Sequence, residues 1–131
     1  MALGKIKADT LEHSTAGSLD TQYVVNGSAK AFALWNAAST PAYRGNFNTG
    51  SITDHGTGDQ TVAFVASMAD ANFTTSGQVG NGNDGDTSNS QMRRGSSASG
   101  SQRCTIQFAT SASNGNFDYT YVGLVIHGDL A

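Results

Sequence analysis

The sequence has little cysteine, proline, tryptophan or charge. Among its 131 residues there are one cysteine, one proline and one tryptophan, and only 13% of the residues are charged, which is about half of the usual fraction. A single cysteine, Cys104, excludes a disulfide within the chain, and its place in an alternating stretch predicts a small buried residue. In place of charged residues the sequence is rich in Gly, Ser, Thr, Asn and Ala. Apart from Ala, these residue types favour turns and short strands over helices.

Basic residues are also few and scattered. The chain has seven Lys and Arg against ten Asp and Glu, a formal net charge of −3, so no basic face is expected to neutralise nucleic-acid phosphates. No apolar run approaches the roughly 18 residues that a membrane span needs, and the N-terminus lacks the apolar stretch of a secretory signal. We therefore expect no nucleic-acid partner, no membrane insertion, and synthesis in a cytoplasm without export by that route.

Short β-prone runs separated by turn residues make up most of the chain after residue 21. The runs that predict strands are 23–25, 29–36, 61–65, 73–79, 103–109 and 117–127. Asn26-Gly27 and Asn114-Gly115 are turn signals, and the Gly-rich segment 54–58 predicts a hairpin that returns through 61–65. No convincing amphipathic helix is present. About six to eight short strands predict an all-β, antiparallel β-sandwich or jelly-roll-like domain over residues 22–131.

The last run, 117–127, becomes apolar on both faces near its end. Phe117, Tyr119 and Tyr121 share one face, whereas Leu124 and Ile126 lie on the other. A strand with two apolar faces is typical of the centre of a sheet or of a subunit contact.

Residues 1–21 differ from the rest of the chain. Their apolar side chains, Leu3, Ile6, Leu11 and Leu19, follow no clean period. Alone, this segment buries little apolar area, so it is expected to become ordered only against another surface. Two interpretations remain open: a short arm, helical or extended, that docks on another surface, and a simple flexible tail.

The segment 80–101 is rich in glycine and has no apolar period, which predicts a long loop. Loops of this length are usually functional or disordered, and loops on a rigid scaffold often carry binding sites. Its arginines suit the carboxylates or phosphates of a ligand. The alternative is a disordered or packed loop without a ligand. The binding candidates are Asn83, Asp84, Asp86, Gln91, Met92, Arg93 and Arg94.

Three segments resemble a known family. They are 24–32 (VVNGSAKAF), 45–73 (GNFNTGSITDHGTGDQTV running on to MADANF) and 123–131, which ends in HGDLA. Together they are similar to a family of tail-fibre and virion structural proteins of bacteriophages, many of them marine. His55, Gln60 and Ala69 stand where the family frequently has Asn, Tyr and Pro. These departures fall at predicted turns and strand surfaces and leave the expected fold unchanged.

The resemblance implies a homotrimer that contacts the host surface. The arm 1–21 would then dock on other virion proteins, and the candidates in 80–101 would bind a bacterial surface glycan as receptor, unless this loop packs within the trimer. The function expected from it is a virion structural protein without a cofactor, assembled in the host cytoplasm. Its role would be that of a trimeric tail fibre or host-attachment domain that binds cell-surface glycans. A capsid decoration or head-fibre protein is the alternative, because 131 residues are few for a whole tail fibre.

Catalytic and metal motifs are weak, and we predict neither a catalytic nor a metal site. No GxSxG nucleophile elbow occurs. A particle-borne glycan hydrolase would need opposed carboxyls about 5–10 Å apart, which the close pairs Asp84/Asp86 and Asp54/Asp59 are not expected to provide. The Asn- and Asp-rich stretch 81–89 lacks the ordered spacing of a calcium loop. His55 and His127 could meet symmetry mates on a trimer axis, although a lone His near a strand end is usually a satisfied polar residue.

Overall fold

The computed structural model describes residues 7–15, 17–80, 89–109 and 114–131. These residues form eleven strands and one short helix, and every strand pairing is antiparallel, which confirms the all-β prediction. In chain order the elements are β1 (Thr10–His13), β2 (Gly17–Asp20), α1 (Thr21–Gly27), β3 (Ala31–Asn36), β4 (Ala42–Phe47), β5 (Thr49–Gly56), β6 (Asp59–Phe64), β7 (Thr74–Gly80), β8 (Asn89–Ala98), β9 (Ser101–Ala109), β10 (Asn114–Asn116) and β11 (Tyr121–His127).

The strands are arranged in three sheets. Strands β1 and β2 form a small hairpin by themselves. The front sheet has the order β4-β3-β11-β7. In the back sheet, β9 pairs with β6, β8 and β10, and β5 pairs with β6. Of the two positions predicted for the last strand, the centre of a sheet is the one observed, because β11 lies between β3 and β7.

One hydrophobic cluster is built from both larger sheets. Its side chains come from alternating positions, because successive residues of a strand point to opposite faces. Cys104 is buried as predicted, and burial, helped by the nearby Asp59 carboxylate, raises the pKa of its thiol to about 12. The cluster consists of Ala31, Ala33, Trp35, Val122, Leu124 and Ile126 from the front sheet, Val62, Phe64, Cys104 and Ile106 from the back sheet, and Ala37, Met68, Phe73 and Tyr119 from connections.

Residues 21–27 form helix α1, so the strand predicted at 23–25 and the turn at Asn26-Gly27 are wrong. The β preference of Tyr and Val is expressed when a neighbouring strand packs against them, and α1 pairs with no strand. Lys30 instead holds the end of the helix: its Nζ donates to the carbonyls of Val25 and Ser28. A cation at this end also suits the helix dipole.

Residues 89–98 form strand β8, so this part of the loop predicted over 80–101 is wrong. Strand β8 pairs with β9 along most of its length, with a register shift between Arg94 and Ser97. Main-chain hydrogen bonds hold it, and Met92 is the side chain that packs against the core. Alternating hydrophobicity is absent because most other side chains of β8 face solvent.

The strand predicted over 117–127 begins only at Tyr121. Residues 117–120 form a connection, because the Asp118 carboxylate is tied to the turn between β5 and β6. Its Oδ1 accepts hydrogen bonds from the backbone N of Gly58 at 2.7 Å and from Nε2 of Gln60 at 3.3 Å. Asn114-Gly115, predicted as a turn, lies within the short strand β10.

Asn48 connects β4 of the front sheet to β5 of the back sheet, and its side chain stabilises this connection. It has a positive φ of 53°, a conformation in which Asn is enriched among non-glycine residues. Its Nδ2 donates to the carbonyls of Lys30 (2.9 Å) and Ala66 (3.1 Å), and its Oδ1 accepts from the backbone N of Ala66 (2.7 Å). One side chain therefore joins three separate parts of the chain.

We expect Asn48→Ala to lower the free energy of unfolding by about 2–3 kcal/mol, because backbone groups lose their partners and the backbone stays in the left-handed region. Asn48→Gly keeps the conformational freedom and is expected to cost less. Urea unfolding followed by Trp35 fluorescence measures both. Equal losses for the two variants would show that the hydrogen bonds contribute and that the positive φ does not.

Candidate functional site

A polar cleft forms where the turn after β6 meets the end of β11. The backbone N of Ala69 donates to the Asp129 carbonyl (2.8 Å), and that of Ala131 donates to the Ser67 carbonyl (3.0 Å). Met68 and Leu130 form an isolated β-bridge between these hydrogen bonds. The two segments are far apart in sequence and are held together by main-chain hydrogen bonds, so the walls of the cleft are fixed.

The first wall of the cleft is the turn after β6, and Asp70 and Asn72 determine its shape. Both carboxylate oxygens of Asp70 accept from Asn72, one from its backbone N (2.7 Å) and one from its Nδ2 (2.9 Å). These hydrogen bonds, the backbone one first, lower the pKa of Asp70. Such Asp-centred turns are a common way of ordering a tight corner.

The second wall of the cleft is the segment at the end of β11, and its close approach to Phe73 requires Gly128. A Cβ atom at this position would lie 2.7 Å from the Cβ of Phe73, so only glycine lets the end of β11 approach this closely. Phe73 is buried and packs edge-to-face on Phe64, with ring centroids 5.7 Å apart. The cleft therefore has a floor anchored in the core.

The cleft has a volume of about 410 Å³, within the range of small-ligand sites. Its polar side chains are two carboxylates, two amides, a hydroxyl and an imidazole, and no Lys or Arg of the described residues lines it. In the part of the chain that the structure describes, no three His, Cys, Asp or Glu side chains are close enough to hold a metal ion. The polar lining residues are Asn26, Asp70, Asn72, Thr74, His127 and Asp129.

This lining suits a neutral, hydroxyl-rich ligand. Carboxylate oxygens accept hydrogen bonds, amides both donate and accept, and a sugar hydroxyl can satisfy either role. An anionic ligand would meet two carboxylates and no compensating cation among the described lining residues. Side-chain donors and acceptors in this arrangement can bind and orient a ligand.

The receptor-binding residues predicted from the sequence are not brought to this cleft as a group. Asn83, Asp84 and Asp86 lie outside the described residues. Gln91 and Arg93 are exposed on β8, where Arg93 Nη1 donates to Gln107 Oε1 at 3.2 Å. Met92 points inward, and its Cε occupies the space where a Cβ on Gly77 would be.

Arg94 supports the cleft from behind. Its Nη2 donates to the Ala71 carbonyl (2.8 Å), its Nε donates to Ser97 Oγ (2.7 Å), and its guanidinium carbon lies 5.2 Å from the centroid of the Phe73 ring. The contact with Ala71 holds the turn that forms the first wall. In this position Arg94 shapes the cleft rather than lining it.

The residues predicted for the docking arm are placed in part. Leu3 and Ile6 lie outside the described residues. Leu11 and Leu19 are cross-strand partners in the β1–β2 hairpin, and each is about half exposed, at 49% and 47%. They form one small apolar surface that no other described element covers.

Two of the four carboxylates considered for glycan hydrolysis, Asp54 and Asp59, have structural partners. Asp54 Oδ1 accepts from the backbone N of Gly56 at 3.0 Å. Asp59 forms a bidentate ion pair with Arg103, whose Nε donates to Oδ1 at 2.8 Å and whose Nη2 donates to Oδ2 at 2.5 Å. This contact lowers the pKa of Asp59. Asp84 and Asp86 lie outside the described residues.

Sequence reasoning missed the cleft, although two of the segments in the family resemblance supply most of it. The signal was the paired motifs MADANF (68–73) and HGDLA (127–131), in which Asp70, Asn72 and Asp129 lie outside the strands. Among the described residues, no helix has the length and hydrophobicity needed to cross a bilayer. Comparison of the chain with protein-family models, with curated proteins and with solved structures gave no match.

Proposed function

We propose that this chain is a structural protein of a bacteriophage particle, a trimeric tail-fibre or host-attachment domain whose cleft binds a neutral sugar of a cell-surface glycan. The two larger sheets, which share one hydrophobic cluster, would form a β-sandwich that presents the cleft. The proposal is carried by one observation: segments 68–73 and 127–131, which belong to the family resemblance, form opposite walls of a single polar cleft.

The charge of the described cleft lining, which has carboxylates but neither lysine nor arginine, defines the expected ligand. Acidic glycans are disfavoured at this position, whereas hydroxyl and amino groups suit Asp129 and Asp70. This differs from the sequence-based expectation, in which the arginines of 80–101 meet an acidic glycan. Several copies on one particle would turn weak individual contacts into firm attachment.

Binding to an array of neutral, amino and acidic bacterial glycans tests the proposed site. We expect Asp129→Asn to weaken binding about 10- to 100-fold, because a hydrogen bond to a charged group contributes roughly 1.5–3 kcal/mol. The substitution leaves the main-chain bond to Ala69 intact. Thr74→Val is expected to weaken binding less.

Arg93→Gln is the matched control, because Arg93 is an exposed polar side chain outside the cleft. Loss of binding in Arg93→Gln together with unchanged binding in Asp129→Asn would reject the cleft and favour β8. Absence of binding by the unaltered protein to every glycan on the array would reject the attachment role.

A capsid decoration or head-fibre role is the second candidate, and the uncovered Leu11–Leu19 surface suits docking on a capsid as well as on a tail. Cryo-electron microscopy of the intact particle separates the two roles. Density for this chain at the tail or baseplate, with the cleft facing outward, supports attachment. Density at capsid three-fold positions supports decoration.

A further inference from the structure

Helix α1 is short, apolar and uncovered. It has seven residues and no buried residue, and no side-chain hydrogen bond caps its N-terminus. Tyr23, Val24 and Val25 are 61%, 42% and 61% exposed. Isolated helices this short are not stable in water, and valine is a weak helix former. Lys30 secures one end, but the apolar surface of the helix has no partner within the described chain.

A second uncovered apolar surface lies on the outer face of the front sheet. Phe32 and Phe47 are cross-strand partners whose rings stack with centroids 6.1 Å apart. Tyr121 and Val125 follow on β11, and all four side chains are 36–55% exposed. Leu34 lies among them and is half-buried. Apolar patches of this kind on a soluble domain mark interaction surfaces.

This outer face contains a hollow at Gly123. The residue points outward, because its neighbours Val122 and Leu124 point into the core. Hollows of about 550 and 440 Å³ adjoin it, and both are lined by Leu34 and Gln78. A Cβ on Gly123 would be 3.4 Å from Gln78 Cγ and 3.9 Å from Leu34 Cδ1. A valine or tyrosine side chain from outside can therefore enter between these two residues.

The charges on the two surfaces are complementary. The four strands of the front sheet contain no Asp or Glu, and Arg44 is their only Lys or Arg. Arg44 lies over the Tyr121 ring, 4.4 Å from its centroid, at the edge of the apolar patch. The described residues before α1, 7–15 and 17–20, expose three carboxylates, on Asp9, Glu12 and Asp20, and one lysine, Lys7. One surface thus has a basic edge, and the other follows a segment in which carboxylates outnumber lysines.

We infer that helix α1 of one copy packs on the outer face of the front sheet of a second copy. Both surfaces belong to the same chain, and the exposed fractions show that neither covers the other within it. A contact between two different surfaces of identical chains repeats from copy to copy and closes into a ring when the rotation allows. The hairpin side chains Leu11 and Leu19 remain available for the virion. The inference extends the proposed function, and because α1 also contributes Asn26 to the cleft, association and sugar binding are measured separately.

Light scattering after size-exclusion chromatography of the full chain tests the contact. We expect an oligomer for the unaltered protein and a single-chain mass for Phe47→Asp and for Tyr23→Asp. Gly123→Leu, which fills the hollow without backbone strain, is expected to weaken association at least tenfold. Val65→Asp is the matched control, since Val65 is 75% exposed and lies on neither surface. It should stay oligomeric. Because Phe47 lies outside the cleft, glycan binding by Phe47→Asp tests the proposed function separately from the association.

Disulfide trapping identifies which surfaces meet. A size-tagged Val25→Cys chain mixed with an untagged Val125→Cys chain should form a mixed disulfide, whereas Val65→Cys in place of Val125→Cys should not. The buried Cys104 thiol, with its raised pKa, gives little background. A monomeric unaltered protein, unchanged association in Phe47→Asp, or self-linking of Val125→Cys without the mixed product would overturn the inference.

Discussion

Gly58→Ala is expected to lower the free energy of unfolding by about 4 kcal/mol, since overpacking and backbone strain each cost roughly 1–3 kcal/mol. Gly58 is buried in the β5–β6 turn at a φ of +65°. A Cβ there would lie 2.5 Å from the Ile106 carbonyl oxygen and 2.8 Å from the Phe117 nitrogen. Both are backbone atoms, which cannot move out of the way as the end of a flexible side chain can. The residue also donates to Asp118 and accepts from the Ile106 amide, so a shift of the turn breaks both hydrogen bonds.

Gly56→Ala in the same turn is the control for this prediction. Gly56 has a φ of +122°, but no atom of the described residues beyond its chain neighbours lies within 4 Å of the place that a Cβ would take, so its substitution carries a conformational cost without overpacking. Urea unfolding followed by Trp35 fluorescence gives both free energies. If Gly58→Ala costs no more than Gly56→Ala, the back sheet is less tightly packed around this turn than the structure shows.

Trp35→Ala is expected to cost about 3–5 kcal/mol, the usual loss when a buried tryptophan is truncated. Trp35 is fully buried on β3, opposite Tyr43 on one side and Val122 on the other. Since a whole domain is stable by only about 5–15 kcal/mol, much of the protein should be unfolded at room temperature in mild denaturant. Circular dichroism is the measurement, because this substitution removes the only tryptophan.

Trp35→Phe distinguishes packing from hydrogen bonding at this position. The buried indole Nε1 has no hydrogen-bond partner among the described residues, and an unsatisfied buried donor costs about 1–3 kcal/mol. Phenylalanine removes that donor and keeps most of the ring, so it is expected to cost less than half as much as alanine. An equal loss for the two variants would contradict the idea that the indole nitrogen is unpaired.

Sequence predicts those parts of the fold in which the order of apolar and polar residues indicates which side chains are buried. Strands β6 and β9 largely alternate polar residues with small or apolar ones, and the structure places their apolar faces in one cluster. The position of β11 was also predictable, because apolar side chains occur on both of its faces. Its outer face, with Tyr121 and Val125 exposed, is the part that the alternation alone does not explain.

The parts that sequence missed depend on neighbours distant in the chain. Strand β8 has no alternation because it is held mainly by main-chain bonds to β9. Helix α1 has β-prone residues but pairs with none of the described strands. The cleft joins Asn26, Asp70 and Asp129, and only the sheet order brings them together. Asp70 and Asn72 are recognisable as an ordered turn, but nothing in their spacing indicates the second wall.

The pairing of β3 with β11 has a consequence for how the protein is made. It joins Ala31 to Ile126, so the centre of the front sheet cannot form until the ribosome has released almost all of the described chain. The β5–β6 and β8–β9 hairpins close earlier, with the apolar side of the back sheet still uncovered. Such late, long-range pairing is slow, and the partly folded chain that precedes it is prone to aggregate. Recombinant yield should therefore improve when translation is slowed by cooling.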